Sequence, residues 1–252
     1  MVEFRRSIAS PGQLFHPTPS KDSFGYEPIA SEYYSARHIT SRNFDAATLF
    51  FLRGFHIFIP RKGLVLDLGA GRGNVGRYCG VEGSRILQID ISPTMLSTRP
   101  REECFQAIRC DALCLPLLDS TISAAAAFLY DSFNTSRLYH EVHRVLRAGG
   151  VFVGTLPHYD WGEGLRRIIG YPPTKTKFLT DSGAYVEFDS FLMTDTQIKE
   201  GLAQSGLTLV STHDLYLPDE EKDVSPHVRI AASALGVDVY STPIVKLVVA
   251  EK

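Results

Sequence analysis

The stretch V-L-D-L-G-A-G-R-G-N-V-G, Val65 to Gly76, decides the fold. Val65, Leu66 and Leu68, with Asp67 among them, read as a buried strand. Gly69, Gly71 and Gly73 follow at alternate positions and form a turn that bulky side chains would not permit. Glycine is needed where φ is positive or where backbone must approach a ligand closely. A second strand runs from Ile86 to Ile91 and carries Asp90, 21 positions after Gly69. A strand, a glycine turn, a short helix and an acid at the tip of the next strand form a nucleoside-binding half-site. The acid accepts hydrogen bonds from ribose hydroxyls, and the glycine turn lets the rest of the nucleotide lie against bare backbone.

The glycines alone do not choose the cofactor, because Gly71, Gly73 and Gly76 also satisfy the dinucleotide fingerprint G-x-G-x-x-G. Three further features do. Asp67 sits inside the strand end, where a dinucleotide fold usually has an apolar residue. Asp90 is followed by I-S-P-T-M-L, with Ser92 as N-cap and Pro93 at the first helical position. Downstream come C-D-A at Cys110 to Ala112 and R-V-L-R-A-G-G-V-F at Arg144 to Phe152. Together these residues resemble the class I S-adenosylmethionine-dependent methyltransferases over roughly residues 64–156, with a weaker match to the chain end. The resemblance implies an α/β, doubly wound, mostly parallel seven-stranded sheet of order 3-2-1-4-5-7-6, with the last strand antiparallel.

Bulk properties bound the alternatives. Of 252 residues, 44% are hydrophobic and 21% charged, which fits one globular α/β domain. The formal net charge of −2 gives no electrostatic case for a nucleic-acid partner. The cysteines, Cys79, Cys104, Cys110 and Cys114, form no C-x-x-C pair and read as buried reduced thiols, so no metal is expected. No signal segment and no long apolar run is seen, so no membrane contact and a cytoplasmic location are the expectations.

Along the chain, residues 1–25 read as a flexible leader and 26–252 as a single domain. Residues 26–60 form an N-terminal helical prelude, with helices at Glu27–Arg37 and Phe44–Leu52. Strands are expected at Leu64–Leu68, Arg85–Ile91, Gln106–Cys110, Ile122–Leu129 and Val151–Leu156. Helices at Asn74–Cys79, Pro93–Thr98 and Thr135–Leu146 lie between them, the last closed by a glycine C-cap. Residues 158–191 show little strand character. They read as a lid insertion after the fifth strand, with a short helix at Glu163–Ile169. Helix Asp195–Ser205, strands Thr208–Tyr216 and Ile244–Ala250, and a helix near Val228–Leu235 complete the chain.

Asp67, Asp90 and Asp111 each fall at the carboxyl end of a strand, where ligands of open α/β sheets bind. The resemblance assigns roles around them. Gly69, Ala70, Gly71 and Gly73 line the methionine and ribose portions of S-adenosyl-L-methionine, and Asp90 holds the ribose hydroxyls. Asp111 takes the adenine amino proton, and the Ala112 backbone addresses the ring. Ile91 and Met95 sandwich adenine, and Asp67 orients the methionyl ammonium. Arg72 is a departure, a cation inside the turn that has to point away from the sulfonium. Tyr34 and His38 in the prelude are further cofactor candidates. Acceptor-side candidates are Tyr130 and Asp131, after the fourth strand, and His158, directly after the fifth, as general base. Trp161 is expected to close over a flat acceptor, with Gly162 and Gly164 as hinges. The expected partner is a small-molecule acceptor. The alternatives are a tRNA or protein methyltransferase of the same fold, a nicotinamide-dependent oxidoreductase, and a non-catalytic S-adenosylmethionine-binding regulator.

Overall fold

Four strands that are buried along nearly their whole length set the core. The computed structural model describes residues 26–35, 37–54, 59–98 and 106–252; the expected leader and Cys104 lie outside them. Strands β1 (Val65–Leu68), β2 (Ile86–Asp90), β3 (Gln106–Arg109), β4 (Ile122–Phe128) and β5 (Leu146–Pro157) run parallel. β8 (Thr208–Leu215) and β9 (Val245–Glu251) close the sheet in the order β3-β2-β1-β4-β5-β9-β8. β9 is antiparallel to both of its neighbours, β5 and β8. Numbered within this sheet alone, the order is the expected 3-2-1-4-5-7-6. Every residue of β1 and β2 is buried, as a parallel sheet covered on both faces requires.

The covering helices follow from the pleat. Leu138 and Val142 of α4 (Ser136–Val145) and Ile198 and Leu202 of α6 (Asp195–Gln204) share a core with Leu66, Leu68 and Phe152. On the opposite face lie α1 (Ile39–Gly54), α5 (Tyr159–Ile169) and α7 (Pro226–Leu235). Their Phe44, Leu165 and Val228 pack with Val151, Val153 and Leu247. The two short helices, α2 (Val75–Cys79) and α3 (Pro93–Ser97), follow β1 and β2. Ser92 caps α3 as expected, its Oγ accepting the Met95 N–H at 2.9 Å. α6 opens on a capping box between Thr194 and Gln197.

Three local expectations are corrected. The helix expected at Glu27–Arg37 is a single 3₁₀ turn, Glu27–Ile29, followed by further turns, and α1 starts earlier than expected, at Ile39. Pro28 supplies no N–H, and the side chain of Glu27 is drawn away to the start of α3. Secondly, the helix over 136–145 is not closed by Gly149 and Gly150. β5 already starts at Leu146, and Gly149 turns at φ +70° within it. Thirdly, the insertion does contain strands. β6 (Lys175–Leu179) and β7 (Tyr185–Asp189) form an antiparallel hairpin, K-T-K-F-L pairing with Y-V-E-F-D around Gly183. Alternating polar and apolar residues across a glycine turn are a hairpin signal.

Candidate cofactor and acceptor site

At the carboxyl ends of β1, β2 and β4 a cavity of about 970 Å³ opens between the glycine turn, the prelude and the β6–β7 hairpin. Gly69 and Gly71 line it at φ +63° and +51°, in the left-handed region that the sequence pattern demands. Both are also approached closely. A Cβ on Gly71 would lie 2.1 Å from Tyr34 Oη, and one on Gly69 2.8 Å from the Phe133 ring. Gly73 is a correction. It does not line the cavity, and the space beside it is taken by the Gln88 side chain.

The three acids converge on this cavity. Asp90 is held rigidly: its Oδ2 accepts the Gly71 N–H at 2.8 Å and its Oδ1 the Ser92 N–H at 2.9 Å. Burial raises its pKa, and these hydrogen bonds oppose the rise. Asp67 is fully buried, and its Oδ2 has no hydrogen-bond partner. Burial lifts its pKa well above the usual carboxylate range, against a hydrogen bond from the Val75 backbone. Asp111 accepts the Leu113 N–H at 2.8 Å and faces the cavity with Ala112, Ile91 and Met95.

The prelude forms part of the roof. Glu27 accepts hydrogen bonds from the hydroxyls of Ser92 and Thr94 at the start of α3. Tyr34 Oη accepts the Arg72 N–H at 3.2 Å, and the Arg72 guanidinium stacks on the Tyr34 ring at 3.8 Å. Burial pushes the Tyr34 phenol up to about 12. The hairpin supplies the rest: Tyr26 stacks on Phe188 at 5.0 Å, and Tyr33 on Phe178 at 6.1 Å. His38 is a second correction. It packs on Phe178 at 3.9 Å, in the seam between prelude and hairpin, and does not line the cavity.

None of the three acceptor-side candidates reaches the cavity. His158 is 5% exposed; its Nδ1 accepts the Asp160 N–H at 3.2 Å as the cap of α5. Its Nε2 lies 3.2 Å from Asp214, which Lys246 also reaches, at 2.5 Å, while holding Asp195 at 2.8 Å. Burial lowers the His158 pKa, with Asp214 opposing. Tyr130 is completely buried, its hydroxyl 3.0 Å from that of Tyr139. Asp131 is buried, which lifts its pKa to about 6 against hydrogen bonding from Ser190 and the charge of Arg166. All three residues leave strand ends, but Tyr130 turns into the core, His158 toward Asp214 and Asp131 toward Ser190. Trp161 packs edge-on against Phe44, and Gly162 accommodates Leu192, so neither is a lid or a hinge.

Sequence reasoning missed the face of α1. Asp45, Thr48 and Leu49 line the cavity at helical spacing, and Asp45 accepts a hydrogen bond from Tyr78 of α2 and pairs with Arg77 at 3.4 Å. The i, i+3, i+4 spacing was readable; which way that face pointed was not.

The family profile described as a methyltransferase domain matches residues 66–154, the span from β1 through the glycine turn into β5. Residues 66–154 are a methyltransferase domain, set in the seven-stranded sheet order that the family resemblance implies. The chain is 30% identical, over 139 residues, to a malonyl-[acyl-carrier protein] O-methyltransferase of Hamiltonella defensa subsp. Acyrthosiphon pisum (strain 5AT). That match takes in 52% of this chain and 53% of the relative, about half the length of each. Two solved structures share the fold. An S-adenosylmethionine-dependent methyltransferase from Mesorhizobium loti aligns at TM-score 0.56 and 20% identity over 83% of this chain and all of that one. Geranyl diphosphate C-methyltransferase from Streptomyces coelicolor A3(2) aligns at TM-score 0.55 and 14% identity, over 81% and 76%. Among the described residues, no helix is long and apolar enough to cross a membrane.

Proposed function

We propose that this methyltransferase transfers a methyl group from S-adenosylmethionine to a small molecule held beneath the prelude and the β6–β7 hairpin. The observation that carries the reading is the roofed, aromatic-rich cavity, whose volume of about 970 Å³ stands near the top of the ~300–1,000 Å³ range of small-molecule sites. Such a volume accommodates a cofactor and a compact acceptor together.

The residues fit the cofactor. Asp67 Oδ2, buried and unpartnered, is a carboxylate oxygen suited to the methionyl ammonium. Asp90 keeps lone pairs free for ribose hydroxyls while the Gly71 and Ser92 amides fix its orientation. Asp111 and the Ala112 backbone address the adenine edge, with Ile91 and Met95 on its faces. Gly69, Ala70 and Gly71 leave room for the methionine portion. When bound, the cofactor supplies a methyl carbon on a sulfonium, ready for in-line displacement. The protein's share is then alignment and exclusion of water. Phe128, Leu129 and Phe133, which line the cavity at the end of β4, form its apolar wall on that side. The Asp45 carboxylate, tied to Tyr78 and Arg77, is the polar group on α1 to which an acceptor's hydrogen-bond donor would bind.

The test has two stages. Calorimetry should show S-adenosylhomocysteine binding in the micromolar range, about −8 kcal/mol, with no binding of a nicotinamide dinucleotide. Labelled S-adenosylmethionine is then offered with small aromatic, isoprenoid and carboxylate acceptors, with a carrier-borne carboxylate, and with bulk tRNA and protein. Transfer to tRNA or protein alone overturns the small-molecule reading.

A further inference from the structure

Away from the cavity lining, the prelude and the hairpin meet in a second polar cluster. Glu32 and His38 come from the prelude and Asp181 from the hairpin turn, Glu32 and Asp181 being 149 positions apart in sequence. One donor atom from each of the three lies within 4.8 Å of the other two. The His38 ring is oriented by Phe178, and its Nε2 is shut away from solvent without a hydrogen-bond partner. Glu32 Oε2 accepts the Asp181 N–H at 2.5 Å, which leaves Oε1 for another partner. Asp181 Oδ1 pairs with Arg37 at 3.2 Å, through an exposed contact, which leaves Oδ2.

One imidazole nitrogen and two carboxylates make a donor set for a borderline divalent cation, with water completing the coordination. Ion–donor lengths of about 2.0–2.2 Å put two donors of one ion at most about 4.4 Å apart, so small side-chain rotations close the set. The imidazole donor, on a ring that has a nitrogen without a hydrogen-bond partner, separates this cluster from an ordinary solvated acidic pair. We propose that Glu32, His38 and Asp181 bind a divalent transition-metal ion of the zinc or cobalt type. That ion latches the prelude to the β6–β7 hairpin and so fixes the roof of the cavity. Its position outside the cavity lining makes it a structural ion, not part of the transfer chemistry.

The experiment uses Co²⁺ on the metal-stripped full chain, because its spectrum reports the ligands. One equivalent is expected to bind, with visible d–d bands and no ultraviolet thiolate charge-transfer band. His38→Ala and Glu32→Gln should each weaken binding by at least the ~10-fold that loss of even an outer partner costs. Glu32→Gln keeps an acceptor for the Asp181 amide, so a folded variant is available. Saturating Co²⁺ should also slow tryptic cleavage after Lys175 and Lys177 in the wild type but not in His38→Ala. No binding, wild-type affinity in both variants, thiolate bands that vanish in Cys110→Ser, or unchanged cleavage in the bound wild type overturns the latch.

Discussion

Asp90 carries two loads, and its substitutions separate them. It orders Gly71 and Ser92 and also stands where the ribose would be held. Asp90→Ala strands two buried amides at about 1–3 kcal/mol each, so it should lower the melting temperature even without ligand. Asp90→Asn keeps one acceptor and should stay better folded. Calorimetry should still show weaker S-adenosylhomocysteine binding, by about 1.5–3 kcal/mol for a lost charge-assisted bond. Asp67 behaves in the opposite sense. Its folded pKa is raised by burial, so ionisation destabilises the fold. Stability falls as pH rises from the unfolded value, about 3.9, through the folded one. Asp67→Asn should therefore melt no lower than wild type at pH 7, and its relative gain should shrink toward pH 4, while cofactor binding weakens. Melting curves across that window check the sign. At this scale the sequence was informative wherever backbone geometry fixed the side chain. The three acids at strand ends all reach the cavity. His158, Tyr130 and Asp131 also follow strand ends, but their orientation depends on tertiary partners: Asp214 and Ser190, both distant in the chain, and Tyr139 on the helix that follows.

Among the elements, the buried strands were readable because apolar runs bounded by glycine and acid leave few alternatives. The insertion was not, because its strands are short, charged and only half-buried, and they pair with each other instead of joining the main sheet. Its helix shows the same gap. Gly162 and Gly164 looked like hinges, but α5 runs unbroken through both. Gly162 is small because Leu192 packs on it, and an added Cβ would lie 2.3 Å from that side chain. Gly162→Ala should therefore cost about 1–3 kcal/mol in chemical denaturation through overpacking. A hinge would instead have gained slightly from the same change, through a less flexible unfolded chain. A stabilised variant would restore the hinge.

For the molecule as a whole, the alternating strands and helices and the position of the cavity at the sheet's carboxyl edge followed from the pattern and the glycine turn, and the sheet order from the family resemblance. The roof did not, because it is assembled from segments over a hundred residues apart whose aromatic side chains meet only in the folded state. Ligand binding to the folded state alone stabilises by RT ln(1 + [L]/Kd), about 2.7 kcal/mol at a hundredfold excess over Kd. At about 2–4 °C per kcal/mol for a domain of this size, S-adenosylhomocysteine should raise the melting temperature by roughly 5–10 °C. A scan without a shift would separate this chain from the cofactor.

Ser92 Oγ caps α3 by accepting from Met95 and donates to Glu27 at the same time. One oxygen thus joins the wall on which adenine is expected to rest to the strip of chain lying across the top. Coupling of this kind is reciprocal: whatever tightens Met95 against a ligand steadies residues 26–35, and whatever steadies those residues tightens the ligand by the same factor. Amide exchange in 26–35 should slow when S-adenosylhomocysteine binds, and Ser92→Ala should uncouple the two. Grip and closure would then be two readings of a single equilibrium.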